Sequence, residues 1–257
     1  MLFRRLVLFA LAAGVVLGAL LSAIQSWRVV PIISAAEVFE RARAAELSAT
    51  AHAGHEQDSG QHVHAAAEWE PTEGAERIGL TVLSDILAAI GYALVLLAIM
   101  AFAHRKGLAT RFDWRYGLLW GLAGYAVVYV APGLGLSPEI PGAADEAAAA
   151  ASLTARQSWW IFSAICTAVA LGTAAFAKAR WRWVAALGLL AVPYLVGAPE
   201  TAGVAFAGYP PEAVAELSKL AREFIWATAF ANLLFWLGLG SASGWGMQRF
   251  LMKETVN

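Results

Sequence analysis

The run GLTVLSDILAAIGYALVLLAIMAFA, Gly79–Ala103, carries a single charged side chain, Asp85. As a helix it would be about 37 Å long, more than the roughly 30 Å hydrocarbon thickness of a bilayer. Arg77 precedes it and Arg105 and Lys106 follow, so the run is bounded by charge on both sides. Working outward, comparable apolar runs give candidate spans at about 5–26, 79–103, 115–132, 158–178, 183–197 and 224–245. The chain of 257 residues is 60% hydrophobic and 14% charged, whereas soluble domains carry about 25% charge. The fold class is therefore all-α: a single polytopic helical membrane domain of about six transmembrane helices. The count falls to five if the fifth span is discounted, because that span is short and Pro193 interrupts it.

The first run, Leu6–Ile24, follows Arg4 and Arg5 and is long enough to be an uncleaved span rather than a signal peptide. Gly14 and Gly18 within it form a small-xxx-small notch that suits close approach by another helix.

Charge orients the spans. With the amino terminus inside, the inner segments hold Arg4, Arg5, Arg105, Lys106, Arg111, Arg115, Lys178, Arg180, Arg182, Arg249 and Lys253, against only Asp113 and Glu254. The outer segments hold seven bases and sixteen acids, Asp85 being left within a span. Short basic loops face the cytoplasm, which predicts both termini there and a bacterial inner (plasma) membrane location.

The first outer segment, residues 28–77, is the one long hydrophilic stretch. Ser34 and Glu37 have capping-box spacing, and Glu37 with Arg41 is a favourable i,i+4 pair. These predict a short helix to about Leu47, followed by a flexible loop. That loop carries four of the five histidines, His52, His55, His62 and His64, with Glu56 and Asp58 between the pairs. Imidazole and carboxylate together suit divalent first-row metals. A mobile loop that must order on binding gives weak, exchangeable capture, fading below about pH 6.5 as imidazole protonates. A His-rich linker without metal is the plainer reading of the same residues.

Other acids fall on the same side. Glu37 and Glu40 lie three apart on one helix face, Glu139 sits in a proline turn and Glu200 ends the fifth span. Together they could surround a vestibule, although surface charge would look the same. Asp85 falls within the first two turns of a span, where an ionised group is costly and usually functional, so it is the candidate for an ion path or proton coupling; the alternative is a carboxylate solvated at the outer interface or acting near a helix start. Asn232 and His104 are better explained by packing and by the inner interface. The lone Cys166 excludes an intrachain disulfide and a Cys-based metal site. No phosphate-binding loop, H-E-x-x-H, G-x-S-x-G or haem-attachment motif occurs. The chain is thus expected not to be an enzyme, to hold no tightly bound cofactor and to bind no nucleic acid.

Three stretches carry a resemblance: Pro31 with Ala36-Glu37-Val38-Phe39-Glu40; Gly133-Leu134-Gly135-Leu136-Ser137-Pro138-Glu139-Ile140-Pro141-Gly142 leading to Arg156-Gln157-Ser158-Trp159-Trp160; and Pro193 to Pro199. In these the chain resembles the CbtA family, predicted cobalt-transporter subunits. The resemblance implies membrane uptake of cobalt for cobalamin use, while the imidazole and carboxylate chemistry leaves nickel or zinc as alternative cargo. It also implies a small one-span partner, CbtB, bearing its own histidine cluster. It carries over Glu37, Glu40, Glu139, Arg156, Trp159, Trp160 and Pro199, and a count of about five spans. Chemically the glutamates can ligate metal, Arg156 suits a loop carboxylate or a lipid headgroup, and the two tryptophans suit the outer interface. The expected function is a permease or permease subunit for a divalent transition metal. The alternative is a non-transporting membrane scaffold or sensor that binds metal and docks a partner.

Overall fold

The computed structural model describes residues 2–53, 74–143, 146–199 and 205–250, and every regular element among them is helical. In chain order these are α1 (Leu2–Arg28), α2 (Val30–Ala53), α3 (Ala75–Arg105), α4 (Trp114–Tyr125), a π-helical turn (Ala126–Val130), α5 (Ala131–Gly135), α6 (Glu146–Phe176), α7 (Arg182–Val196) and α8 (Pro211–Phe250). Helix α4, the π-turn and α5 form one continuous rod.

Five helices are long and apolar enough to cross a membrane: Phe3–Arg28, Ala75–Arg105, Trp114–Gly135, Ser152–Phe176 and Pro211–Phe250. The run expected as the fifth span is α7, whose 15 residues amount to about 22 Å of helix, short of the bilayer core. It lies along α6 from the carboxy-terminal end of that helix back to Trp159. At its start Arg182 donates to the Ala177 carbonyl (3.0 Å), and near its end the Pro193 carbonyl accepts from the Trp159 indole (3.3 Å).

Glycine seams set the helix packing. A Cβ on Gly14 or Gly18 would come within 2.5 Å of Ile90 or Ile86, so α1 and α3 lie backbone against backbone. This is the contact that the Gly14/Gly18 notch predicts. A second seam joins α4 to α8: a Cβ on Gly117 would lie 2.2 Å from the Gly240 carbonyl oxygen, and one on Gly121 2.2 Å from that of Trp236. Met100, Leu239 and Met247 are fully buried between these pairs, with Phe235 and Trp236 beside them.

The bundle has two chemically different ends. At one, Asp113 caps α4 by accepting from the backbone amides of Arg115 (2.7 Å) and Tyr116 (2.9 Å), which gives one of the two expected inner acids a structural use. The His104 ring packs on Phe112 there, its Nδ1 3.4 Å from the Ala109 carbonyl.

At the other end the predicted short helix is longer than expected. Helix α2 begins at Val30, so Ser34 lies inside it rather than at its cap. The reason is Pro31, which lacks an amide proton for the Trp27 carbonyl and so breaks α1 from α2 at Val29. Proline is well tolerated in the first turn of the new helix. Helix α2 then packs on the amino-terminal half of α8. Ala36, Ile140, Phe206, Leu217 and Leu220 form a second, separate core there, which we call the cap. Helix α8 opens at Pro211, where proline is well tolerated, and runs from the cap through the bundle without interruption.

Candidate functional site

The turn Ser137–Gly142 divides its residues between two surroundings. Ile140 is buried in the cap core, while Glu139, one residue earlier, reaches the other way to α6. Gly142 closes the turn with φ of +75°, a conformation that side chains disfavour, and a Cβ there would lie 2.6 Å from the Tyr209 hydroxyl. The Pro-Glu-x-Pro-Gly pattern thus encodes a buried anchor, an outward carboxylate and a left-handed glycine.

Glu139 accepts from Arg156 Nη1 at 3.0 Å. This ion pair stands at one side of a cleft of about 470 Å³ between the rod and α6, lined also by Tyr129, Leu136, Gln157, Trp160 and Ile161. The cleft therefore unites the two most specific stretches of the sequence. Trp160 lines it as a half-buried ring, but Trp159 does not serve as an interfacial anchor: it is 6% exposed. Its ring fills the space left by Gly135, where a Cβ would lie 2.1 Å from it, and meets Tyr194 edge-on at 6.2 Å. The helical register turns it inward.

Deeper between the rod and α8 lies a polar seam that the sequence reading did not single out. Tyr125 and Tyr129 stack at 5.4 Å. The Tyr125 hydroxyl donates to the Ala229 carbonyl (3.2 Å), and that of Tyr129 lies 2.8 Å from Thr228 Oγ1 and 3.3 Å from the Ile225 carbonyl. The π-turn begins directly after Tyr125 and contains Tyr129; such turns are frequent at functional sites. The i,i+4 tyrosine pair beside a run of glycines was the available signal. Asn232, the polar residue singled out on α8, bonds only within its own helix, to the Thr228 carbonyl at 3.0 Å.

The predicted metal residues fare unequally. His55, Glu56, Asp58, His62, His64 and Glu200 lie outside the described residues, and His52 is described only as backbone near the end of α2. Glu37 accepts from Arg41 (3.2 Å) on its own helix and from Arg77 on α3, an ion pair that ties α2 to the start of α3. Glu40 follows one turn later on α2. A cation at Glu37 would compete with two guanidinium groups, and one at Glu139 with Arg156. Asp85 lies in the amino-terminal half of α3, half-buried, where its Oδ2 accepts the hydroxyl of the buried Ser22 on α1. Gly18 brings the two backbones together beside it. Among the described residues no three His, Cys, Asp or Glu side chains cluster as a metal would need.

Comparison with known families finds one described as "Probable cobalt transporter subunit (CbtA)", matching residues 3–248. No curated protein and no solved structure matches the chain.

Proposed function

Because the chain belongs to the CbtA family, described as a probable cobalt transporter subunit, we propose that it is the membrane-embedded part of a system that moves a divalent transition metal, cobalt first, into the cell for cobalamin use. The observation that carries this reading is the division of charge along the bundle. Bases collect at the end where α3 meets α4 and α6 meets α7, and acids at the end that bears α2 and the cap. Short basic loops mark the cytoplasmic side, so the acidic end faces out, where it raises the local cation concentration.

In this reading the protein lies in a bacterial inner membrane with both termini inside. Helix α7 serves as a short sixth pass against α6, its deficit in length met by local thinning of the bilayer. Metal capture falls to the loop from His52 to His64 with Glu56 and Asp58. Its ligands are weak and exchangeable, as delivery requires. Glu37 and Glu139, held by arginine, contribute field more than ligation. Asp85 is the acid within the first two turns of a described apolar run, and its carboxylate serves the transfer across the outer half of the bundle. Ser22 holds it in place by donating a hydrogen bond to one oxygen and leaving the other oxygen for the ion. The word subunit fits a further chain, and a small one-span membrane protein with histidines is the partner we infer.

The test is cobalt accumulation by cells producing this chain, alone and with that partner, in competition with nickel and zinc. Accumulation above background, reduced most by unlabelled cobalt, is the expected outcome. Background uptake in both cases would instead favour a non-transporting scaffold that binds metal and docks a partner.

A further inference from the structure

The cleft between the rod and α6 presents two opposite charges joined by one bond, Arg156 Nη1 to Glu139 Oε2 at 3.0 Å. A bare divalent ion on Glu139 would sit beside a guanidinium, which repels it. A bare anion on Arg156 would meet the carboxylate in the same way. A molecule carrying both charges satisfies both groups: its phosphate takes the guanidinium fork, and its ammonium donates to the carboxylate.

The rest of the cleft says what such a molecule is attached to. Tyr129, Leu136, Trp160 and Ile161 supply mostly apolar walls. Ile161 is 52% exposed and Leu134, on the adjoining rod, 72%. Side chains so placed on spans face acyl chains. The cleft also straddles a boundary in depth. Val128 to Gly133 belong to the span Trp114–Gly135, Glu139 lies just past its end, and Arg156 stands in the second turn of the span Ser152–Phe176. Charge thus sits at headgroup level and apolar surface below it. The volume of about 470 Å³ is of the size that holds a small polar group rather than a whole lipid. The chains would lie outside, along Ile161 and Leu134.

We propose that this cleft binds one outer-leaflet phospholipid with a primary ammonium and a phosphate in its headgroup, of the phosphatidylethanolamine type. Pockets between helices at the membrane surface recognise headgroups by the same charge logic. The Arg156–Glu139 bond satisfies both charges in the absence of lipid and opens into two separate contacts when the headgroup enters. This inference does not depend on the metal transported.

Full-length protein in nanodiscs tests it, with bromine-labelled acyl chains placed in turn on phosphatidylethanolamine, phosphatidylcholine and phosphatidylglycerol at equal mole fraction. The fluorescence that disappears in Trp160→Phe reports on the cleft. Several-fold stronger quenching of that component by the ethanolamine lipid is expected, and the preference should vanish in Glu139→Gln and in Arg156→Gln. Equal quenching by all three lipids would mean ordinary annular contact and overturn the proposal. So would a preference for the glycerol lipid, or a Trp160 signal that no lipid reaches because a polypeptide covers the cleft. The comparison among lipids uses the unaltered cleft pair, so it stands even if a pair variant folds poorly.

Discussion

Between α4 and α8 backbones touch, whereas between α2 and α8 side chains do. In the first place Gly117 and Gly121 meet Gly240 and the Trp236 carbonyl with no room for a Cβ. In the second, Ala36 and Phe39 rest on Leu217 and Leu220, and the Glu37–Arg77 ion pair ties α2 to the start of α3. Backbone contact between membrane helices relies on close van der Waals packing and admits little adjustment. A small side-chain core beside a partly solvated ion pair is softer, since exposed pairs contribute only about 0–1 kcal/mol. The bundle is thus a fixed frame and the cap an adjustable one.

The contrast breaks most directly at the glycines. Gly121→Val should force α4 from α8 and abolish accumulation of folded protein, since the atom in the way is backbone and overpacking already costs about 1–3 kcal/mol where side chains can yield. Leu217→Ala in the cap removes a fully buried side chain at a cost of about 2–5 kcal/mol, yet should leave α1, α3 and α4 assembled. The yield of folded protein from each variant, with limited proteolysis of purified Leu217→Ala, would show which parts stay protected, and equal collapse of both would erase the distinction.

A smaller effect belongs to the loop. Replacing His52, His55, His62 and His64 by alanine should weaken uptake several-fold when cobalt is scarce. In the unaltered chain the same advantage should fade as pH falls through the histidine range, about 6.5. Uptake at scarce metal that ignores both changes would remove the loop from capture. Smallest is Tyr129→Phe, which deletes the hydroxyl shared with Thr228 and the Ile225 carbonyl. Its cost should be about 0.5–1.5 kcal/mol, read as a modest fall in thermal stability of protein in detergent.

What the sequence made visible follows range of interaction. The long spans, the short basic connections at one end of the bundle and the Gly14/Gly18 contact rest on local composition and helical spacing, and all are present. The seam at Gly117, Gly121, Gly240 and Gly244 carries the same four-residue spacing on both helices. It was legible but unremarked, because glycine is common in membrane helices. The cap core was not legible: Ala36, Ile140, Phe206 and Leu217 come from four distant segments, and no local pattern joins them. The pairing of Arg156 with a loop carboxylate was anticipated from its chemistry, but the identity of Glu139 as that partner required the fold. Trp159 was misplaced because a tryptophan near a span end looks alike whether it faces lipid or, as here, a glycine-made gap at Gly135.

The division of labour is tested by the rate of cobalt uptake at saturating metal, measured side by side in Asp85→Asn and in the four-histidine variant, each confirmed to be folded and in the membrane. The asparagine side chain keeps an acceptor for Ser22 while losing the charge. Uptake should be lost with the aspartate replaced and near normal with the histidines replaced. Normal uptake without the Asp85 charge would remove that carboxylate from the path, and none without the loop histidines would make the loop part of it; either contradicts the account.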